Sequence, residues 1–314
     1  MASRTQAKAM LRLYSRKLLA YKNVVAVALG RKNGDGTRKD WCIRVHVTKK
    51  TKQRTESSIP RVLKPPRSSK WLVPIPTDVK EVGEIKLHSL DVQASSHFSM
   101  SDEYGTCSGV FTMQGNNYAV TCGHVASMDL TGLHNLPNGT LPGSSYIPCN
   151  LANANATEMF GIVGQCVRCS SDQNPVDLAL VLLNGASNPE GNPRLTGFRD
   201  LFSNPLQVGE TLTILCYRGQ LDMVITADDD HYVSTSFNYS TSQGTKKVFY
   251  DGLVCYPVSN GTDSLIEGDS GSCVVDNQNS LVGIHMGASP STAYAVSSNQ
   301  LLNWAKQLQI LQAP

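Results

Sequence analysis

Short apolar runs separated by turn residues dominate the chain from about residue 107 onwards. These runs are rich in Val, Leu, Ile, Tyr and Thr, and Gly, Pro, Asn or Asp bound them. This pattern is typical of β-strands in an all-β sandwich or barrel. The expected strands span residues 107–113, 117–121, 159–167, 178–183, 211–217, 223–226, 232–237, 248–256, 271–275, 281–285 and 293–296.

A helical period replaces the strand pattern near both ends of the chain. Apolar residues recur there three or four positions apart, which predicts amphipathic helices. Ser297 or Ser298 is the expected cap of the second helix, over residues 299–311. The two apolar faces comprise Ala7, Met10, Leu11, Tyr14 and Leu18, and Leu301, Leu302, Ala305, Leu308 and Leu311.

The chain divides by composition into three parts. Residues 1–90 combine the first helix with extended runs at 23–29, 41–47 and 71–83, which predicts a small α+β module. Residues 91–103 are rich in serine and are the expected linker. Residues 104–314 hold the β-rich part and the closing helix.

Charge separates the same parts. Residues 1–90 contain 21 Lys and Arg against 6 Asp and Glu, a net charge of +15, and the remainder carries −12. This asymmetry indicates an anionic partner for the basic module: nucleic acid, a membrane surface, or the acidic remainder of the chain itself. The alternative is a basic face that is simply solvated.

Ser270 is the candidate nucleophile, within Gly-Asp-Ser-Gly-Ser at residues 268–272. A serine hydroxyl needs an adjacent base to attack a carbonyl, and donors for the oxyanion that then forms. Gly268 and Gly271 allow a tight turn that aims the N–H groups of Gly268 and Ser270 at one point. An ordinary Asp-Ser-Gly turn accounts for the same residues.

His124 and Asp177 are the candidate base and orienting acid. His124 follows a predicted strand in Thr-Cys-Gly-His, where a core histidine is the alternative. Asp177 opens a long apolar strand, and burial would be costly for it without a partner such as an imidazole N–H. Asp172 is its nearest rival but lies in a polar segment that solvent explains.

Together these motifs resemble those of the trypsin-like, chymotrypsin-fold serine peptidases. The resemblance rests on residues 121–124, 176–180, 268–272 and 281–287 in the order His, Asp, Ser, and covers roughly residues 104–311. Residues 23–30 and 76–83 look like the front module of some intracellular bacterial and plant trypsin-like proteins.

The resemblance implies a mainly β fold with two antiparallel six-stranded barrels, a cleft between them and a C-terminal helix packed on the second barrel. It also implies that Ser270 is the nucleophile, His124 the general base and then acid, and Asp177 the residue that orients the histidine. Gly268 and Ser270 would supply the oxyanion hole.

The resemblance also suggests a specificity pocket. By its position six residues before Ser270, the resemblance implies that Ser264 forms the pocket floor. Because Ser264 is not an Asp, nothing there would pair with a substrate Lys or Arg. The segment Gly-Ile-His-Met-Gly at residues 283–287 looks like viral 3C-type and glutamyl peptidases, with His285 and Gly287 binding substrate. His285 would then select Glu or Gln; if it is only structural, a small or apolar residue is expected.

Several features favour an intracellular protein. No apolar run is long enough for a transmembrane segment, and the N-terminus lacks the apolar core of a signal peptide. The disulfide that brackets the histidine in secreted relatives is missing, so we expect mostly reduced thiols. A cytoplasmic location is expected, with a mitochondrial one as the alternative because the first acidic residue is Asp35.

We therefore expect an intracellular serine endopeptidase that acts on a protein or peptide through an acyl-enzyme. No cofactor or metal is expected, because the Cys-x-x-Cys of Cys166 and Cys169 has no second pair. The alternative is a non-catalytic or self-cleaving scaffold of the same fold, whose basic N-terminal module binds nucleic acid, a membrane or a protein partner.

Overall fold

The computed structural model describes 17 segments of the chain. They are residues 2–31, 41–50, 59–87, 97–100, 103–106, 109–113, 116–123, 146–152, 159–165, 167–169, 176–182, 195–216, 219–225, 233–241, 244–258, 265 and 268–307. The described part is mainly β, with one helix near each end.

Helix α1 spans Arg4–Leu19 and helix α2 spans Ser298–Gln307. The first eleven strands, β1 to β11, are Val24–Arg31, Trp41–Val47, Val62–Leu63, Ile75–Glu81, Lys86–Leu87, His97–Met100, Glu103–Thr106, Gly109–Met113, Asn116–Thr121, Tyr146–Ala152 and Met159–Gln165. Strands β12 to β21 are Val167–Cys169, Val176–Leu182, Gly197–Phe198, Thr211–Cys216, Gly219–Val224, Val233–Thr241, Gly244–Pro257, Cys273–Val275, Ser280–Ala288 and Thr292–Ser297.

The mainly β character and the C-terminal helix agree with the sequence pattern. Each expected strand overlaps an observed one, but the pattern missed β10 and the short strands β3, β5, β7 and β14. Part of the predicted linker is also a strand, because β6 pairs with both β7 and β10. The predicted turn at residues 32–36 lies outside the described residues.

The described strands form one 13-stranded sheet and two four-stranded sheets. The large sheet runs in the order β16-β15-β19-β20-β21-β18-β17-β1-β2-β4-β3, and β14 and β5 each pair with β20. The small sheets are β11-β10-β6-β7 and β12-β13-β9-β8. Within the described residues no sheet closes on itself, so two closed barrels are not confirmed.

Helix α1 begins at a capping box. The Ser3 hydroxyl accepts from the Gln6 N–H and the Gln6 side chain accepts from the Ser3 N–H, which satisfies two donors that the helix leaves unpaired. Its apolar face packs on β1 and β2 and builds the first core. The buried members of this core are Ala7, Met10, Leu11, Leu18, Leu19, Val24, Val27, Leu29, Ile43, Val45, Val47, Leu63, Leu72 and Ile75.

The basic N-terminal part is joined to the rest of the molecule by a continuous sheet. Strand β1 pairs with β17, with Val27 opposite Ser234. His46 on β2 meets Tyr294 on β21 across a buried hydrogen bond of 3.0 Å between Nδ1 and the hydroxyl. The β-sheet therefore runs without interruption from the first 90 residues into the strands that carry residues 273–297.

Candidate active site

Two glycines in a left-handed backbone conformation frame Ser270. Gly268 and Gly271 both have φ of +94°, a region that side chains with a Cβ rarely adopt. A Cβ on Gly271 would lie 1.9 Å from the backbone oxygen of Thr106, which no rearrangement of side chains relieves. The glycine at 271 is therefore required both by its dihedral angle and by its close neighbour.

Two threonines from the small sheets hold this turn in place. The Thr106 N–H donates to the Ser270 carbonyl over 2.8 Å, and its hydroxyl donates to the Gly268 carbonyl over 2.8 Å. The Thr121 hydroxyl donates in turn to the Thr106 carbonyl, also over 2.8 Å. Strands β7 and β9 of the two small sheets thereby hold the turn that contains Ser270.

Ser270 lies against the strand that contains the predicted pocket histidine. Its side chain is fully buried, and its hydroxyl donates to the Met286 carbonyl over 2.8 Å. The Gly271 N–H donates to the His285 carbonyl, and the His285 N–H donates to the Ser272 carbonyl, both over 2.8 Å. The serine turn is thus bonded directly to β20.

Asp177 occupies the second position of β13, whose neighbour is β9. The side chain is buried, and a Cβ built on Gly123 would lie 2.9 Å from its Oδ1. Its carboxylate therefore lies against the residue that precedes position 124. His124 itself lies outside the described residues, so its distances to Asp177 and Ser270 are not part of the geometry.

A buried thiol connects the aspartate to the serine strand. The Cys122 thiol donates to the His285 carbonyl over 3.0 Å. Burial raises the pKa of this thiol well above its usual value, and the charge of Asp177 raises that pKa further. Cys122 is therefore a neutral donor at physiological pH, and it links the Asp177 side of the site to β20.

His285 is a buried histidine with a tyrosine partner. The Tyr256 hydroxyl and the His285 Nδ1 are 2.6 Å apart, and both side chains are almost fully excluded from solvent. Burial raises the pKa of Tyr256 well above its usual value, with a further rise from Asp269, so the phenol stays protonated. When Tyr256 donates this bond, the imidazole proton resides on Nε2.

The other predicted site residues fall in two groups. Gly268 and Gly287 are described and buried, and Gly287 lies on β20 opposite both β21 and β5. Ser264, the expected pocket floor, lies outside the described residues. The structure thus brings Ser270, His285 and Gly287 to one strand edge.

Sequence reasoning missed three residues that shape this site: Thr106, Thr121 and Tyr256. Thr121 belongs to the histidine motif itself, three residues before His124, so the sequence did contain a signal that it lies near the site. Thr106 and Tyr256 reach the site only through sheet pairing, and no local pattern distinguishes them from other strand residues.

In the described part of the chain, no group of three or more His, Cys, Asp or Glu side chains is arranged to hold a metal ion. Cys166, one half of the Cys-x-x-Cys pair, lies outside that part. Neither of the two described helices combines the length and the apolar composition needed to cross a membrane.

No protein-family model and no curated protein matches this chain. Among solved structures, a glutamic-acid-specific serine protease that uses a histidine triad in substrate binding is 15% identical, with 68% of this chain and 96% of that chain covered and a TM-score of 0.40. A Nocardiopsis protease is 17% identical, with 68% and 95% covered and a TM-score of 0.38.

A serine protease of a human pathogenic astrovirus is 13% identical, with 68% of this chain and 94% of that chain covered and a TM-score of 0.35. These neighbours are serine proteases, but TM-scores of 0.35 to 0.40 are too low for the likeness to establish the fold or the activity of this chain. The local geometry around Ser270 therefore carries the functional argument.

Proposed function

We propose that this protein is a serine endopeptidase with Ser270 as nucleophile, His124 as general base and Asp177 as the residue that orients the histidine. The observation that carries the proposal is the glycine-framed turn at residues 268–271, held by threonines from two other strands. A surface turn would not need this bracing, whereas a nucleophile must be held in a fixed position to react efficiently.

The reaction follows from these roles. The Ser270 Oγ attacks the substrate carbonyl carbon and its proton passes to His124, which leaves a tetrahedral oxyanion. The C–N bond then breaks as His124 returns the proton to the departing amine, and an acyl-enzyme remains. A water molecule repeats the attack, with His124 as base again, and releases the acid and free Ser270.

The oxyanion would be bound by the N–H groups of Gly268 and Ser270. Their neighbour Gly271 donates its own N–H to the His285 carbonyl, so it is already engaged. The left-handed conformation at Gly268 supports this assignment, because a turn of this kind directs successive N–H groups toward one side. Preorganised donors stabilise the developing charge without rearrangement.

The Tyr256–His285 pair supports a preference for Glu or Gln at the cleaved bond. An imidazole N–H is a donor that suits an amide oxygen or a carboxylate. Ser264 and Gly287 complete the proposed pocket, and Ser264 offers no charge for Lys or Arg.

Cleavage-site profiling tests the proposal. Purified protein and its Ser270→Ala variant are incubated with a complex peptide library, and the new termini are identified by mass spectrometry. We expect cuts after Glu or Gln that are absent with Ser270→Ala. Cuts after other residues would retain the nucleophile and overturn the pocket assignment.

The matched control for this experiment is Ser272→Ala. It makes the same substitution two residues further along the same turn, where the buried Ser272 hydroxyl has no hydrogen-bond partner among the described residues. We expect Ser272→Ala to cleave like the wild type. Equal cleavage by wild type and Ser270→Ala would contradict the proposed function.

A further inference from the structure

Strand β20 offers a backbone edge beside Ser270, and this edge is occupied along its described length. On this side of β20, β19 pairs from Leu281 to Ile284, whereas β14, which is also opposite Leu281, lies on the other side with β21. The turn that carries Ser270 takes the next positions, through the His285 and Met286 carbonyls. The last stretch is paired by β5, which lies opposite Gly287 and Ala288.

The two residues of β5 come from the far end of the basic N-terminal part. Leu87 lies opposite Gly287 and Lys86 opposite Ala288 in antiparallel register. Along β5 the chain therefore runs toward Met286, the residue whose carbonyl accepts from the Ser270 hydroxyl. A peptide that presented a bond to Ser270 by adding a strand to this edge would need the same backbone groups.

The approach of β5 to this edge is held at two further points. Strand β4 pairs in parallel with β2, and the Val82 N–H donates to the Val47 carbonyl over 2.9 Å. Gly83 then turns with φ of +86°, and a Cβ there would lie 2.9 Å from Cδ of Pro290. The segment is thus delivered from the first sheet to the edge of β20 along a fixed route.

We propose that residues 86–87 act as an internal competitor of the substrate, holding the β20 edge at Gly287 and Ala288 until a peptide displaces them. This rests on the proposed function, because the edge matters only if Ser270 is the nucleophile. This stretch of β20 would therefore pair first with the chain's own backbone at residues 86–87 and, once they are displaced, with the backbone of the substrate.

Proline substitution tests the competition. In an antiparallel pair the N–H groups that face the neighbour alternate, so Lys86→Pro with Leu87→Pro removes whichever donor β5 gives to β20. A competitor in the same molecule lowers the fraction of protein that can bind substrate, which raises the apparent KM. Removing the competitor lowers the apparent KM in proportion. We expect KM for a cleaved library peptide to fall about tenfold, with kcat unchanged, as for a loss of about 1.4 kcal/mol.

The matched control is Lys86→Ala with Leu87→Ala, which keeps both backbone N–H groups and should retain the wild-type KM. Gly83→Ala is the second variant, should the double proline protein not fold: its Cβ displaces the segment from Pro290, and KM should fall in the same direction. A KM in the folded proline variant equal to or above that of the wild type would overturn the inference.

A peptide with the sequence of residues 82–87 gives a second readout. It should inhibit the proline variant competitively and more strongly than it inhibits the wild type, in which the edge is already filled. Equal inhibition of both proteins would also count against the internal competitor. If no variant shows hydrolysis that Ser270→Ala removes, the proposed function itself fails; unchanged KM with Ser270-dependent hydrolysis rejects only the competitor.

Discussion

At the scale of single residues, two positions define the site: Gly271, where a side chain does not fit, and Asp177, which holds a buried carboxylate. Gly271 combines a left-handed backbone with a neighbouring carbonyl at 1.9 Å from any Cβ. Asp177 is buried against Gly123, which places its carboxylate at the residue before the proposed base. These two positions give separable tests of structure and of chemistry.

The test of structure is Gly271→Ala. Gly209 has a similar φ of +85° but nothing within 4 Å of a built Cβ, so Gly209→Ala measures the backbone cost alone, about 1 kcal/mol. We expect Gly271→Ala to lower the free energy of unfolding by more than about 3 kcal/mol, because the Thr106 carbonyl must also move. Urea unfolding of both variants measures the difference, and equal losses would contradict the described turn.

The test of chemistry is Asp177→Asn. An amide in place of the carboxylate would hold the wrong histidine tautomer, and we expect kcat to fall by about 10⁴-fold with folding retained. Asp222→Asn is a suitable control, because Asp222 is an exposed strand residue that accepts from the Thr213 hydroxyl, which an amide oxygen can also do. A near-normal kcat in folded Asp177→Asn would mean that another group orients His124.

At the scale of secondary-structure elements, buried polar contacts join the strands of the N-terminal part to those around the site. His46 on β2 bonds to Tyr294 on β21, and its ring is fully buried. Burial, together with the charges of Lys80 and Arg44, lowers the pKa of His46 from its ordinary value of 6.5 to about 3. This histidine is therefore neutral in the folded protein at physiological pH.

The consequence is a defined dependence of stability on pH. Below about pH 6.5 the unfolded chain takes up a proton at His46 that the folded protein refuses until about pH 3. Stability should fall by about 1.4 kcal/mol per pH unit through this window from this residue alone, with a total on the order of 5 kcal/mol. Chemical denaturation of wild type and His46→Gln between pH 7 and 4 measures it; parallel slopes would contradict the assignment.

The elements also mark where sequence reasoning succeeds and where it stops. Strand β2 was predicted at residues 41–47 and is observed at Trp41–Val47, since its apolar character is a local property. The pairing of β1 with β17 and of β5 with β20 joins residues far apart in sequence, and no local pattern encodes it. For the same reason the sequence did not indicate Tyr256, because its contact with His285 depends on how β18 and β20 are placed in the sheet.

The site shows the same division. The turn around Ser270 was predicted because the glycines at 268 and 271 are a local sequence signal for a tight turn. The bracing by Thr106 was not, because a threonine in a strand has many ordinary roles. Catalytic roles for His124, Asp177 and Ser270, the pocket roles of Ser264, His285 and Gly287, and the intracellular location stay predictions.

At the scale of the whole molecule, the N-terminal part and the remainder share one sheet. The Lys247 ammonium donates to the Leu19 carbonyl over 2.8 Å, and the Thr235 hydroxyl donates to the Val25 carbonyl over 2.5 Å. In this arrangement β17 covers the edge of β1. The binding of an anionic partner by this part stays a prediction, which a salt-dependent binding measurement would test.

A shared sheet predicts cooperative unfolding. Trp41 lies on β2 in the N-terminal part, and Trp304 is buried on α2 near the C-terminus. In protein labelled with fluorotryptophan, we expect the ¹⁹F resonances of both residues to change with one urea midpoint. Trp41→Phe and Trp71→Phe assign the signals. An earlier transition at Trp41 would indicate that the basic part unfolds independently.

The most direct test of the central proposal is the mass of the protein after reaction with a fluorophosphonate. The wild type should gain one adduct, mapped by peptide mass spectrometry to Ser270, because an activated serine displaces fluoride from such reagents. The adduct should be lost in Ser270→Ala and form far more slowly in His124→Ala. An adduct at another residue, or an equal rate in His124→Ala, would contradict a serine nucleophile activated by His124.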